Sequence, residues 1–314
     1  MEELEFEKAV SVLRSKIEEL RKLSQTSDLS LDHEIASMEE KARQTLKNIY
    51  SNLTPWQKVQ IARHERRPHG LDYIHALFKD IFWLDGDRIN GADQAIQMGI
   101  AKFEERTVLF IAQEKGHDIE TRVKHNFGMT KPAGYRKAMR GFELADQLGL
   151  PVVCLIDTSG AYAGLEAEQD GQSAAISACI ARAFTVRAPI VSVIIGEGGS
   201  GGAIALGVSN TVLMLEYAIC AIASPETCSA ILWKNAEHRE EAASALKLTA
   251  EDLLETGYVD EIIDEPIGGA HQYPEEVIEN VRAALNRWLA VVCELDQDTL
   301  VKAREEKFSK FSNV

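Results

Sequence analysis

The segment Ile190–Ala205, IVSVIIGEGGSGGAIA, constrains this chain more than any other stretch. A short, largely apolar run, Ile190–Ile195, reads as a buried strand. Gly196, Gly198, Gly199, Gly201 and Gly202 follow it, and Ala203–Leu206 opens a small-residue helix pattern. Glycine lets a ligand approach the backbone amide closely. A strand that turns through glycines into a helix N-terminus therefore aims N–H groups and the positive end of a helix dipole at one point. Such a point suits a negative charge.

Three chemistries fit the turn. Gly196, Gly198 and Gly201 match G-x-G-x-x-G, with Glu216 downstream as the acid of a dinucleotide fingerprint. Gly198-Gly199-Ser200-Gly201-Gly202 matches G-x-S-x-G, a nucleophile elbow, for which His238 and His271 are the only later histidines. The third reading uses backbone alone. A second glycine-bearing loop, Asp157–Gly164, follows the preceding apolar run. Two such loops on adjacent strands would line one pocket, and their paired N–H donors would form an oxyanion hole.

The rest of the chain supports an α/β frame. Ala95–Phe103 and Thr107–Gln113 read as strands joined at Glu104-Glu105-Arg106, Pro151–Ile156 as a strand, and Gly134–Leu148 and Glu166–Val186 as helices. Thr211–Leu215, Ile219–Ala223 and Val259–Ile263 look extended. Pro225 starts one helix, Thr249–Glu255 is a second stopped at Gly257, and Tyr273–Leu295 is an amphipathic third. Upstream, Phe6, Val10, Leu13, Ile17 and Leu20 form one helical stripe. Ile35, Met38, Ala42, Leu46 and Ile49 form another, capped by Ser30 or Asp32. These divide the chain into a helical hairpin arm at 1–52, a main domain at 53–300, and a charged tail at 301–314 expected to fray from Lys302.

Charge and cysteine content narrow the function. The formal net charge of −15 argues against nucleic acid as a primary ligand. No apolar run reaches membrane-spanning length, and the acidic start, MEELEFEKAV, is unlike a secretory signal. Five scattered cysteines form no C-x-x-C pair, which argues against zinc in this chain and points to reduced thiols and a cytoplasmic setting. Arg122, Lys124, Arg136, Lys137 and Arg140 form a basic region that suits CoA phosphates, an acidic partner surface, or simply a solvated helix face. Trp233 reads as core, and Glu166 and Glu168 as first-turn acids of a helix.

At this point a resemblance becomes specific. IDTSGAYAGLEAEQDGQSAAI, GEGGSGGAIALGVSNTV, SPETCSAILWK and EPIGGAH, with IARHERRPHGLDY and HNFGMTKPAGYRKAMR upstream, resemble the α subunits of the carboxyltransferase component of bacterial-type acetyl-CoA carboxylase. The likeness runs over about residues 5–300, and LTAEDLLETGYVDEII is similar to a turn widespread in the crotonase superfamily. It implies an α/β fold of crotonase-like (ClpP/crotonase) type, a ββα spiral superhelix with an N-terminal helical arm. It implies transfer of a carboxyl group from carboxybiotin, borne by a separate biotin carboxyl carrier protein, to acetyl-CoA, giving malonyl-CoA for fatty-acid synthesis. No protein general base is required for that reaction.

By the same resemblance, the partners are a zinc-bearing β subunit in an α2β2 assembly, the carrier protein and biotin carboxylase. The Gly198 and Gly199 amides are the catalytic donors, and Gly160, Ala161, Tyr162, Gly201 and Gly202 surround the carboxybiotin. Tyr162 either walls that pocket or simply packs. The chain departs from the family pattern at Ser159 and Ala163, where proline is usual, and at His117, where arginine is common. A stand-alone acyl-CoA hydratase or hydrolase and a non-catalytic scaffold subunit are the rival readings.

Overall fold

A computed structural model describes residues 4–26, 31–89 and 91–313. Eight strands form one mixed sheet: β1 (Lys79–Trp83), β2 (Ile96–Phe103), β3 (Arg106–Gln113), β4 (Val152–Thr158), β5 (Ile190–Gly199), β6 (Thr211–Leu215), β7 (Ile219–Ala221) and β8 (Glu261–Ile263). The spatial order is β1-β2-β3-β4-β5-β6-β8, with β7 paired to the far end of β5. β1, β2 and β3 run antiparallel, and every pairing from β3 onward is parallel.

Every residue of β4 is buried, as expected for a parallel strand covered on both faces. One cover is the mutually packed helices Pro132–Leu148, Gln172–Thr185 and Ser200–Gly207. The other is Gly70–Leu77 with Pro274–Val292. The core between these layers is built from Val, Ile, Leu and Phe of β2–β6.

Two long helices, Lys8–Thr26 and Asp32–Tyr50, form the N-terminal hairpin. Val10 and Ile17 meet Ala42, Leu46 and Tyr50, and this cluster docks on Ile61 and Tyr217 of the main body. Asp32 is the first helical residue rather than the cap. Ser30, the alternative cap, lies outside the described residues.

The structure departs from the sequence reading in three places. The expected helix over Glu166–Val186 is two helices, Leu165–Gln169 and Gln172–Thr185. Gly171, at φ +78°, breaks it, because that left-handed conformation ends a right-handed helix. β5 does not stop at Ile195 but continues through Gly199, since both of its edges find partners. The tail does not fray from Lys302. Gln297–Ser309 is a helix capped by Asp296, with Leu300 and Arg304 buried. Arg304 donates to the Ala188 carbonyl at 3.2 Å and to Asn210 Oδ1 at 2.6 Å.

Arg304→Ala removes those donors and opens a hole at a buried position. It should lower stability by about 3 kcal/mol, read as an earlier urea midpoint at unchanged slope. A tail free in solution would leave the midpoint where it was.

Candidate active site

The glycine turn sits at the carboxyl ends of parallel strands, where ligand crevices of open α/β sheets form. Gly198 is in register with Thr158 of β4 on one side and Cys220 of β7 on the other, and Gly199 with Ala221. Successive amides of a strand point to opposite neighbours. Gly198 thus has strand neighbours on both sides, and Gly199 has one in β7 only. The helix Ser200–Gly207 begins immediately afterwards, with Gly199 as its cap. First-turn N–H groups have no acceptor within their own helix, so the Gly201 and Gly202 amides are candidate donors beside those of Gly198 and Gly199.

The two glycine loops meet, as the sequence implied. A Cβ placed on Gly199 would lie 2.3 Å from the Ser159 carbonyl carbon, and one on Gly202 would lie 2.9 Å from that of Gly160. Only glycine permits this approach. Gly160, Ala161 and Gly202 thus form one backbone cluster, while Gly201 faces the Ile176 side chain. Tyr162 turns elsewhere. Its ring lies under Lys131, with Nζ 4.6 Å from the ring centre, and its hydroxyl pairs with Glu166.

Beside the loops is a charged constellation that the sequence reading did not find. Asp157, the last residue but one of β4, is buried. It accepts from Lys115 Nζ at 2.6 Å, from His69 Nδ1 at 3.1 Å and from the Glu197 amide at 2.9 Å. Burial alone would raise its pKa, but the Lys115 ammonium, and then His69, hold it well below the usual carboxylate range. The Glu197 carboxylate binds Arg63 at 2.6 Å and lies 3.8 Å from Lys115. Arg63 also binds Glu226 at 2.7 Å.

A groove of three adjoining clefts with shared lining residues runs past these groups. It starts at Trp56 and Gln60, passes Arg63, Glu65 and Arg122, and reaches His69, Lys115 and Phe127. From Ser159 and Glu197 it continues to Gly198, Gly199 and Ser200, ending against Ser224 and Pro225. Asp157 could have been flagged as a carboxylate closing an apolar strand. Nothing local marked His69, which is 88 positions away from it in sequence.

Other candidates are placed elsewhere. Of the basic region, Arg122 lines the groove. Arg136 binds Asp87 and Asp170, and buried Lys137 binds Asp85 and the Ile96 carbonyl. Arg140 donates to the Asp85 carbonyl, and Lys124 is exposed. Three of the five residues thus serve the protein's own loops.

No triad forms at Ser200. His238 stacks on half-buried Trp233 and pairs with Glu241, while His271 stacks on His64 with its pKa pushed down to about 3, mainly by burial. The dinucleotide fingerprint also fails. Gly196–Gly199 is strand rather than loop, and the Glu216 carboxylate is occupied by the Glu265 amide.

Comparison with known proteins bears on this geometry. A family model described as acetyl co-enzyme A carboxylase carboxyltransferase-like matches residues 3–312. The chain belongs to this family. Acetyl-coenzyme A carboxylase carboxyl transferase subunit alpha of Paramagnetospirillum magneticum is 50% identical over 305 residues, covering 97% of this chain and 96% of that one. The Zymomonas mobilis protein of the same name is 48% identical over 305 residues, covering 97% of each.

Solved structures share the fold. Transcarboxylase 12S aligns with a TM-score of 0.56 at 16% identity, over 70% of this chain and 41% of that longer one. The β subunit of geranyl-CoA carboxylase from P. aeruginosa aligns at 0.57 and 17%, over 80% of this chain and 46% of the other. The family membership and this fold agree with the resemblance drawn from the motifs. Among the described residues no helix is long and apolar enough to cross a membrane.

A carboxylate whose folded pKa is depressed adds stability above its unfolded pKa, near 3.9. That contribution is lost as pH falls from there toward the folded value. Asp157→Asn should therefore destabilise the chain strongly at pH 7, by about 3 kcal/mol or more. The gap from wild type should narrow steadily below about pH 4, as urea midpoints across a pH series will show. A gap independent of pH would mean that Asp157 is not charged in the folded state.

Proposed function

We propose that this chain is the α half of a carboxyltransferase that moves a carboxyl group from carboxybiotin, on a separate carrier protein, to acetyl-CoA, giving malonyl-CoA. The observation that carries this reading is the contact between the two glycine loops beside the groove. Carboxybiotin, when bound, supplies an activated carboxyl group on the nitrogen of a cyclic urea. The residues present fit it. The urea oxygen is a strong acceptor, and the first-turn amides of Gly201 and Gly202 are donors with no helical partner. The dipole of Ser200–Gly207 adds positive potential at the same point. One such donor contributes about 3 kcal/mol to a barrier when negative charge develops on its acceptor.

The groove leads from the Trp56 end to the glycine turn, the course an extended arm would follow. Its walls carry Arg63, Lys115 and Arg122, so an anionic carboxyl group meets local cations although the chain is acidic overall. We assign the thioester side of the reaction to a zinc-bearing β subunit in an α2β2 assembly, with biotin carboxylase recharging the carrier in the cytoplasm.

One rival keeps a specific observation in its favour. A stand-alone hydratase or hydrolase needs a side-chain acid or base, and the Asp157–His69 pair is one. The chain should yield malonyl-CoA from carboxybiotin and acetyl-CoA only when mixed with its β subunit. Acyl-CoA hydration or hydrolysis by the chain alone would replace this reading. Gly202→Ala pushes the Gly160 backbone away and should cut turnover about 10- to 100-fold with the assembly intact by light scattering. Full activity in that variant would remove the loop contact from the mechanism.

A further inference from the structure

His69 is 6% exposed, and its ring is held from one side only. Nδ1 lies 3.1 Å from Asp157 Oδ2, while Nε2 is buried with no hydrogen-bond partner among the described residues. A buried polar atom left unpaired costs about 1–3 kcal/mol and calls for an explanation. The surroundings offer it none. His117 packs against the His69 ring face with centroids 4.6 Å apart, and its own Nε2 is committed to Asp72 at 2.8 Å. Lys115 is committed to Asp157, and Arg63 to Glu197 and Glu226. The residue nonetheless lines the groove, together with Lys115, Phe127, Ser159 and Glu197. Ser159 and Glu197 also border the stretch of groove that contains the glycine turn.

We propose that His69 is a substrate-contacting residue, whose Nε2 accepts a hydrogen bond from the unsubstituted ring N–H of the cyclic urea bound in the groove. This rests on the carboxybiotin reading above. Ionised Asp157 can only accept, so Nδ1 carries a proton, and in the neutral imidazole Nε2 presents a lone pair. A cyclic urea has an oxygen and a ring N–H to satisfy. With the oxygen left to backbone amides of the glycine turn, the imidazole would take the N–H. His69 meets Asp157, His117 and Asp72, and it shares the lining of the groove with Lys115, Glu197 and Arg63.

His69→Asn tests this, because the asparagine amide can still donate to Asp157 from the Nδ1 position while nothing remains at Nε2. Free biotin and a biotin methylated on the ring nitrogen that stays unsubstituted in carboxybiotin are titrated into the assembled α–β enzyme by calorimetry. Wild type should bind the methylated ring 3- to 10-fold more weakly, the worth of one neutral hydrogen bond. His69→Asn should bind both rings alike, at about the weaker affinity. Biotin should also shift the Nε2 resonance in the 15N spectrum of the wild-type imidazole.

Equal discrimination by wild type and His69→Asn, or an unmoved Nε2 resonance with biotin bound, overturns the proposal. Loss of the Asp157 contact alone would lower the urea midpoint of the variant without changing its preference between the two rings. Should the wild-type assembly neither bind biotin nor make malonyl-CoA, it is the carboxybiotin reading that fails, so the two failures are distinguishable.

Discussion

The buried carboxylate of Asp157 is the interaction on which the rest of the site depends. It stands at the carboxyl end of β4 and gathers Lys115 from beyond β3, the Glu197 amide of β5 and His69 from the segment ahead of β1. A lone buried charge would be expelled or neutralised. Here one full cation, one imidazole and one amide satisfy it, so it remains ionised and locks three separate parts of the chain in place. A second buried pair, Arg67 with Glu265, does the same for the segment preceding the helix Gly70–Leu77. Arg67 also donates to the Ile195 carbonyl at 2.8 Å, within β5 itself. The groove therefore has walls that were never contiguous in sequence but are clamped to the strand ends by charge.

Short apolar runs made the strands legible, and glycine with small residues made the two loops legible. What escaped the sequence depended on partners far away. Five glycines in seven positions look like a loop in isolation, yet pairing with β4 on one edge and β7 on the other carries β5 through Gly199. Strand formation there is a tertiary outcome. Arg136 and Lys137 looked like free cations because Asp85, Asp87 and Asp170 are distant in sequence. The tail looked solvated because its charges outnumber its apolar residues. Its burial rests on Leu300 and Arg304 against the Ala188 and Asn210 region.

The departures from the family pattern have local compensations. Where proline would fix the loop after β4, Ser159 stands, and Thr158 takes over the restraint. Its hydroxyl lies 2.7 Å from the Gly128 carbonyl and 2.9 Å from that of Gly160, and it accepts from the Gly160 amide at 3.1 Å. Hydrogen bonds thus hold what a ring would have pre-set, and the loop still meets Gly199 and Gly202 at backbone contact.

His117 is the more consequential replacement. A guidanidinium there would add a permanent cation beside Lys115, Arg63 and Arg122. The imidazole instead lies over His69 and binds Asp72, whose carboxylate also accepts from the His69 amide at 2.7 Å. Asp72 therefore ties the covering ring and the backbone of the covered one to a single anchor. A flat ring in this position excludes water from the face of His69 without competing for its Nε2. Exclusion of water strengthens whatever hydrogen bond that nitrogen makes.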